Sequence, residues 1–305
     1  MALFTITTDK TNKDIPAGMT AQQARDHYLK MYGDFQPKMP KAIVEPYKDK
    51  FILRADLAPA GLKAYGAEQL IAETKEDVLV YCAPRAGHAP DAIATLAKLY
   101  GKKCVFFCPA SAQPSKHQAV LKAHGADLRF IKIAAMPTLN VFAKRWAEKH
   151  GAKFLPFGLS GVEKVTAGLV KLADNLGYYS EFWMAVSTGT ATRALQIGWS
   201  PNPVGCRAYG VAVARNMHAG EIGNAQLESA TIPFLKATKV QPPFPTTANY
   251  DAKAWEAFDK HASPGSIFIN VGSDEHIEKL YGQVDLTTID SKREWHDMRD
   301  FERGL

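Results

Sequence analysis

The chain has 305 residues, of which 46% are hydrophobic and 22% charged. It contains no low-complexity tract, linker or repeat, and its length is sufficient to bury a large core. No apolar run approaches the roughly 20 residues that span a bilayer, and the first residues lack the basic region and apolar core of a signal peptide. We therefore expect a cytoplasmic globular protein of enzyme size without a membrane segment.

The net charge is +6 and the isoelectric point is about 9.0. Lysines and arginines are spread along the whole chain, and no nucleic-acid-binding motif is recognisable. An ordinary basic surface explains this balance, and so does attraction to a polyanionic partner. Nucleic acid therefore stays open as a partner.

Cysteines are few, and three of the four lie in or beside predicted strands (Cys82, Cys104 and Cys108, with Cys206 the fourth). This placement is typical of buried free thiols in a reducing compartment. The spacing of Cys104 and Cys108 matches half of a zinc site, but no second pair has ligand spacing. We predict no metal site.

In chain order, the first 45 residues predict little beyond a helix over residues 21–31. An apolar strand at 51–53 then leads through a turn into a helix that begins at or just after Lys63. A lysine at a helix N-terminus meets the positive end of the dipole, which favours its neutral amine. A lysine that forms a Schiff base needs this property, although most lysines are solvated surface residues.

The next segment alternates short apolar strands with helices that end at glycine. The predicted strands are 78–82, 104–109 and 128–133, and the predicted helices are 89–100 and 115–124. This βαβαβ order predicts a parallel, doubly wound sheet, on which ligands bind at the carboxyl ends of the strands. The turn 83–88 follows a strand end, so Arg85 is a candidate for a substrate carboxylate, with simple solvation as the alternative.

A further apolar strand at 182–186 runs directly into small residues. These are Ser187, Thr188, Gly189, Thr190, Ala191 and Thr192, and a helix is expected from about Arg193 to Ile197. Small side chains let the backbone approach a ligand closely, and a helix N-terminus offers free amides to a dianion. An ordinary capped helix start is the alternative. The position after a buried strand favours a phosphate-binding loop.

Four motifs follow one another in order between residues 51 and 273. They are Arg54-Ala-Asp-Leu with Gly61-Leu-Lys63, Gly87-His88-Ala through Val105, Ser187-Thr-Gly-Thr-Ala-Thr192, and Asn249-Tyr-Asp-Ala-Lys-Ala-Trp255. Their order and approximate spacing resemble the fold-type II pyridoxal-phosphate enzymes, the tryptophan synthase β-like group. Within that group they resemble the D-cysteine desulfhydrase and 1-aminocyclopropane-1-carboxylate deaminase branch.

The resemblance implies an α/β fold of two lobes, each a doubly wound and mostly parallel sheet (tryptophan synthase β-like, PLP fold type II). It implies an N-terminal extension over residues 1–45. Residues 46–305 would then form the cofactor-binding fold of two intertwined lobes, with approximately 80–150 as the smaller one. Members of the family are often homodimers, so a homodimer is implied as well, although no residue here establishes it.

For the cofactor, the resemblance assigns the Schiff base with pyridoxal 5′-phosphate to Lys63 and the phosphate to residues 187–192. His88 stands where the family has an asparagine that binds the 3′-oxygen of the ring. A histidine can donate the same bond and can also change charge near neutral pH. The alternative is that His88 is a structural turn residue. Ser273 would place a neutral hydroxyl against the pyridine nitrogen, which suits eliminations.

For the substrate, the resemblance places Tyr250 against the cofactor ring as an acid or base. A half-buried tyrosine at a loop–helix junction is the alternative. Ser160 lies in a turn similar to the family's Gly-Gly-Ser and is a candidate for the substrate carboxylate, or for a helix cap. Residues 215–239 have no counterpart in the family, and we expect them to form a polar loop at the mouth of the active site.

The predicted function is that of a pyridoxal-phosphate-dependent lyase or deaminase acting on an amino acid or a related amine through Lys63. One alternative is a decarboxylase or lyase that modifies an amino acid moiety attached to a nucleotide or DNA. A second alternative is a non-catalytic binding protein on the same scaffold, because two of the usual cofactor contacts are altered. The residues do not choose among elimination, deamination and decarboxylation.

Overall fold

The computed structural model describes residues 12–132, 135–200, 206–212, 221–230, 232–233 and 236–289. The described residues divide into two compact units, one within 1–69 and 160–274 and the other within 70–159 and 275–289. Each unit has its own sheet of mostly parallel strands with helices. The prediction of an α/β fold is confirmed.

The described strands and helices alternate along most of the chain. The strands are β1 (Val44–Tyr47), β2 (Lys50–Arg54), β3 (Val78–Cys82), β4 (Lys103–Pro109), β5 (Asp127–Ile131), β6 (Lys153–Phe154), β7 (Glu181–Val186), β8 (Arg207–Ala212), β9 (Gln226–Ser229) and β10 (Ile267–Asn270). The helices are α1 (Ala21–Tyr32), α2 (Leu62–Glu73), α3 (Ala89–Leu99), α4 (Lys116–Ala119), α5 (Met136–Lys149), α6 (Glu163–Leu176), α7 (Thr190–Gly198), α8 (Asp251–His261) and α9 (Asp274–Tyr281). None of these helices is long and apolar enough to cross a membrane.

The first unit is built on a six-stranded sheet with the order β1-β2-β10-β7-β8-β9. β1 pairs with β2 in antiparallel orientation, and the remaining pairs are parallel. β7 is buried at every position, which is why its sequence reads as a nearly continuous apolar run. On one face of the sheet, Trp183 and Phe268 pack with Trp255 and Phe258 of α8.

Helices α2 and α6 of the first unit approach each other at two glycines. A Cβ atom on Gly168 would lie 2.7 Å from the carbonyl oxygen of Gly66, and one on Gly66 would lie 2.9 Å from Leu169 Cγ. Real Cβ atoms do not come this close, so the two backbones are in direct contact. The contact fixes the position of α2, and with it the position of Lys63.

Helix α1 also belongs to the first unit and packs on α6 and α7. Thr20 begins it with a capping box, in which its hydroxyl accepts from the Gln23 amide and the Gln23 side chain accepts from the Thr20 amide. Ala24 and Tyr28 are buried against Val170 and Ile197. The N-terminal region therefore contributes to the core beside α7.

The second unit has a parallel four-stranded sheet with the order β5-β4-β3-β6. The βαβαβ segment predicted from the sequence is present. Two boundaries differ: residues 115–124 form a short α-helix followed by a 3₁₀ turn, and the third strand ends at Ile131. The core between the sheet and α5 contains Phe107, Leu139 and Trp146.

Candidate active site

Three neighbouring parallel strands of the first unit end at the same edge of its sheet. β10 lies between β2 and β7, with Asn270 paired to Arg54 and Ile269 paired to both Leu53 and Met184. The segments that follow these strands carry Lys63, Ser273 and the 187–189 loop. Carboxyl ends of parallel strands are the usual location of ligands in α/β proteins. The sheet thus brings together groups that are more than 200 residues apart in sequence.

A buried ion pair shapes the turn between β2 and α2. Arg54 donates from Nε to Asp56 Oδ1 at 2.9 Å and from Nη2 to Asp56 Oδ2 at 2.8 Å. Gly61 has a φ of +72°, and a Cβ there would lie 2.2 Å from the carbonyl oxygen of Val271. The Leu62 amide donates to the same oxygen at 2.9 Å. The Arg-x-Asp-Leu and Gly-x-Lys motifs therefore hold the start of α2 against the end of β10.

Lys63 lies in the first turn of α2 and is partly buried. Burial, with a smaller contribution from the charge of Arg193, lowers the pKa of its amine from 10.5 to about 8. Both causes disfavour the ammonium form. The sequence argument for an accessible neutral amine rested on the helix dipole, whereas the structure gives burial and the charge of Arg193 as the causes.

The loop after β7 passes into α7 earlier than the sequence predicted, because the helix begins at Thr190 rather than near Arg193. Gly189 is its N-cap with a φ of +73°, and no side chain caps the helix. The first amides of α7 therefore lack partners within the helix. The hydroxyl oxygens of Thr188 and Thr190 lie 3.2 Å apart. Small polar side chains and helix amides at one turn are what an anion requires.

Two members of the predicted phosphate set face the protein interior. Ala191 and Thr192 are both buried, and the Thr192 hydroxyl donates to Met184 Sδ at 3.3 Å. A side-chain contact with an anion is thus better placed on Ser187 or Thr188, which are partly buried. Thr190 is buried within the first turn.

Arg193 lies under this loop, and sequence reasoning missed it. Its side chain is fully buried. Nη1 donates to the carbonyl oxygens of Thr188, at 3.3 Å, and of Glu221. Nε donates to Asp14 Oδ2 at 2.9 Å, and Nη2 donates to Ser160 Oγ at 3.3 Å. An arginine within a helix gives no sequence signal of burial, because most arginines are exposed.

Ser160 does not cap α6. The N-cap of that helix is Val162, and no side-chain hydrogen bond is present there. The Ser160 hydroxyl instead accepts the bond from Arg193. Of the two interpretations that the sequence left open, helix capping is wrong, and the contact with a substrate carboxylate stays a prediction.

Tyr250 immediately precedes α8 and is partly buried against the aromatic core of the sheet. The Pro-rich stretch before it is well anchored. Thr246 Oγ1 donates to Asn270 Oδ1 at 2.8 Å, and Asn270 Nδ2 donates to the Pro245 carbonyl at 2.8 Å. Burial raises the pKa of the Tyr250 hydroxyl above its usual range, so that it holds its proton at neutral pH.

Asp251 is a buried carboxyl group that the sequence analysis did not single out. Its side chain is fully buried, and neither oxygen has a hydrogen-bond partner of normal geometry within the described residues. Burial raises its pKa well above 3.8, although the nearby backbone amides of Val271 and Gly272 oppose this. Asp251 thus lies against the turn that continues to Ser273, which is itself buried.

In the second unit, His88 precedes α3 but does not cap it with its side chain. Its ring lies edge-on to that of His117, with 5.3 Å between the centroids. Burial, followed by the charge of His117, lowers the pKa of His88 to about 3. The lowered pKa favours the neutral ring near pH 7, and the contact of His88 with the 3′-oxygen of the cofactor stays a prediction. Arg85, three residues earlier, is exposed.

The cysteines and the 215–239 segment complete the comparison with the sequence predictions. Cys82, Cys104 and Cys108 are free and buried, and Cys206 is partly buried. Among the residues that the structure describes, no group of three or more His, Cys, Asp or Glu side chains is arranged to hold a metal ion. The predicted loop over 215–239 lies partly outside the described residues, because 215–220, 231 and 234–235 are not among them. Within its described part, Gln226–Ser229 form strand β9 rather than a loop.

Comparison with known proteins adds information on the fold. No family model and no curated protein matches the chain. Among solved structures, an ACC deaminase homologue matches with a TM-score of 0.68 and 15% identity, over 86% of this chain and 100% of its own. The processed form of threonine deaminase isoform 2 from Solanum lycopersicum matches with a TM-score of 0.63 and 12% identity, over 85% of this chain and 88% of its own. A pyridoxal 5′-phosphate-dependent aspartate racemase matches with a TM-score of 0.61 and 14% identity, over 84% of this chain and 96% of its own.

The chain has PLP fold type II. This confirms the fold that the four motifs implied. An ACC deaminase homologue is among the matching structures, in agreement with the branch that the motifs resemble. Identities of 12–15% establish the fold alone, and a fold hosts more than one activity. The activity has to be argued from the side chains at the sheet edge.

Proposed function

We propose that the protein is a pyridoxal-phosphate-dependent enzyme that acts on an amino acid or related amine as a lyase or deaminase. One observation carries the proposal. A lysine amine with a pKa of about 8 lies at the same edge of the sheet as a glycine-containing turn that opens a helix. An aldehyde that carries a phosphate needs both groups, a neutral amine for its carbonyl and free amides for its dianion.

The residues present fit this cofactor. Lys63 would hold its aldehyde, and the amides of α7 with the hydroxyls of Ser187 and Thr188 would hold its phosphate. Gly189 makes the turn possible, because a Cβ there would lie 2.1 Å from the Glu221 carbonyl oxygen. When bound, pyridoxal phosphate withdraws electrons from the Cα of an attached amine.

The chain's own residues supply the proton transfers. The neutral amine of Lys63 would hold the aldehyde of the cofactor. The same amine would move the proton at the substrate Cα. Tyr250 keeps its proton at neutral pH, and burial raises its pKa further. In this state its hydroxyl would give a hydrogen bond to a substrate or leaving group. A lyase or deaminase reaction at this site would release a Cβ substituent or ammonia.

Two groups compete for contact with the pyridine nitrogen. The resemblance assigns it to Ser273, whereas the structure also offers the carboxyl of Asp251 at the same turn. A carboxyl can share a proton with the nitrogen and strengthen electron withdrawal, and a hydroxyl leaves the nitrogen neutral. Spectra of Asp251→Asn and Ser273→Ala, loaded with pyridoxal phosphate, separate the two assignments, because the variant that lacks the true contact shifts the cofactor band.

The reaction class is tested with a panel of D- and L-amino acids incubated with the protein and pyridoxal phosphate. Ammonia and 2-oxo acid are measured together. We expect release of both from at least one amino acid with a leaving group at Cβ or an amine at Cα. Absence of product from the whole panel, with cofactor bound, would instead favour the non-catalytic binding protein.

The amine of Lys63 is expected to react at lower pH than that of a surface lysine. With a pKa of about 8, roughly one amine in ten is neutral at pH 7, against about one in 3,000 at the ordinary value of 10.5. Trinitrobenzenesulfonate labelling of the cofactor-free protein between pH 6 and 11, followed by peptide mapping, measures this. Lys260 is the internal reference, since the bond to Glu256 raises its pKa. A shared midpoint for both lysines would contradict the prediction.

Asp251 is expected to make the folded protein less stable as pH rises from about 4. Its folded-state pKa is raised above 3.8, so in this range the unfolded chain has lost a proton that the native state keeps. Stability then falls with pH until the folded-state pKa is passed. Urea unfolding at pH 5, 7 and 9 measures the free energy of unfolding of the wild type and of Asp251→Asn. The variant should gain stability relative to the wild type as the pH rises. If the stability difference between the variant and the wild type does not grow with pH, the raised pKa of Asp251 is refuted.

The remaining alternatives keep their sequence-based support. A substrate attached to a nucleotide or DNA rests on the basic charge and the 215–239 segment. Salt-dependent retardation of DNA would support it, and no binding at low salt would remove it. The homodimer likewise rests on resemblance, and its measurement is the mass in solution.

A further inference from the structure

A buried arginine lies beneath the proposed phosphate loop and makes four described contacts in the first unit. Arg193 contacts the main chain of the loop at the Thr188 carbonyl oxygen and that of a neighbouring segment at the Glu221 carbonyl oxygen. It also contacts the side chains of Asp14 and Ser160. A guanidinium has five N–H donors in a rigid plane, so four such contacts define the relative positions of the segments it joins.

We propose that Arg193 is a positioning residue that sets the conformation of the 187–190 turn and thereby its affinity for a phosphate. This inference rests on the proposed function and deepens it. The guanidinium has donors and no acceptor, so it binds carbonyl oxygens and does not compete with a ligand for the amides of the turn.

The geometry of Gly189 supports this role. A Cβ on Gly189 would lie 2.1 Å from the Glu221 carbonyl oxygen and 3.1 Å from Arg193 Nη1. The turn, the guanidinium and the Glu221 main chain therefore touch with no space between them. Because the guanidinium of Arg193 binds the carbonyl oxygens of both Thr188 and Glu221, it keeps the turn packed against the Glu221 main chain.

The N-terminal segment orients the arginine. Asp14 accepts from Nε at 2.9 Å, and Asn12 Nδ2 donates to the Arg193 carbonyl at 2.9 Å. Tyr28 donates its hydroxyl proton to the Asp14 carbonyl at 2.5 Å, which ties the segment to α1. A buried arginine with one carboxylate partner is costly to leave unpaired, so Asp14 and Arg193 act as a unit.

Electrostatics adds a second consequence. The charge of Arg193 is one of the two causes that lower the pKa of Lys63, although burial is the larger one. Arg193 thus favours both halves of the proposed site, the neutral amine and the anion at the turn. Charge and positioning can be separated, because a lysine at 193 keeps the charge and loses the planar fork.

The experiment compares binding of pyridoxal phosphate and pyridoxal, measured by calorimetry in a Lys63→Ala background that excludes covalent attachment. The ratio of the two dissociation constants reports the contribution of the phosphate. We expect Arg193→Met and Arg193→Lys each to reduce this ratio at least about tenfold, which corresponds to about 1.4 kcal/mol. Arg25→Met is the matched control, because Arg25 donates to the Gly198 carbonyl at the opposite end of α7. It should leave the ratio unchanged.

The pH profile of Lys63 labelling distinguishes a positioning role from a structural one. With Lys63 present, Arg193→Met should move the labelling midpoint to higher pH, and Arg193→Lys should retain it. If Arg193→Met does not fold, Arg193→Lys and Asp14→Asn decide the question through the binding ratio. An undiminished ratio in folded Arg193→Lys and Asp14→Asn overturns the inference. Failure of the Lys63→Ala parent to prefer pyridoxal phosphate over pyridoxal would instead overturn the proposed phosphate site.

Discussion

Replacement of Lys63 by alanine is expected to lower turnover by at least about 10³-fold, since it removes the group that moves the proton at Cα. Non-covalent affinity for pyridoxal phosphate should fall far less, because the 187–190 turn does not depend on the lysine side chain. The measurement combines steady-state kinetics on the amino acid that the substrate panel identifies with calorimetric titration of pyridoxal phosphate. Addition of methylamine to Lys63→Ala should restore part of the turnover, because a free amine can replace the missing one.

The matched control is Lys50→Met. Lys50 is also buried in the first unit, but it lies at the start of β2, opposite the strand ends that form the site. This variant should keep its turnover within a few-fold of the wild type. Turnover that survives in Lys63→Ala, or is lost equally in Lys50→Met, would contradict the assignment of Lys63.

Replacement of Gly189 by alanine is expected to abolish tight binding of phosphate at the turn. The φ of +73° costs a residue with a Cβ about 1–2 kcal/mol. The Cβ would also lie 2.1 Å from the Glu221 carbonyl oxygen, which belongs to the main chain and has little freedom to move. The turn must therefore shift, and we expect the dissociation constant for inorganic phosphate to rise at least about tenfold.

Gly161→Ala separates backbone strain from displacement of the turn. Gly161 also has a φ of +73°, but a Cβ there would meet no atom within 4 Å. Both variants should lose stability from the left-handed backbone, as measured by urea unfolding, and Gly189→Ala should lose more because of its contact with Glu221. Only Gly189→Ala should lose phosphate affinity. Equal phosphate affinity in the two variants would show that the turn does not form the binding site.

Local patterns in the sequence predicted the approximate positions of the segments that carry the candidate site. The apolar run of β7 followed by small residues predicted a loop over 187–192, of which 187–189 precede α7, and the apolar run at 51–53 followed by a turn predicted the start of α2 near Lys63. These predictions succeeded because strand and helix signals depend on nearest neighbours in sequence. The four motifs then indicated the fold, which the structural comparison confirmed.

Long-range packing could not be predicted in the same way. β10 inserts between β2 and β7, and only this pairing brings Asp251 and Ser273 to the strand ends. The burial of Arg193 depends on Asp14, which is 179 residues away in sequence. The neutral state of His88 depends on burial and on His117 rather than on its neighbours in the turn. Each of these features depends on tertiary contacts. A local sequence pattern does not specify which residues such contacts bring together or how they change a side chain's charge.

The most direct test of the central claim is reduction of the protein with borohydride after incubation with pyridoxal phosphate, followed by mass spectrometry of its peptides. The site geometry predicts an absorption band in the near-violet that reduction bleaches, and a phosphopyridoxyl group on the peptide that contains Lys63. No band in the wild type with excess cofactor, or a label on lysines other than Lys63, would contradict the proposed function.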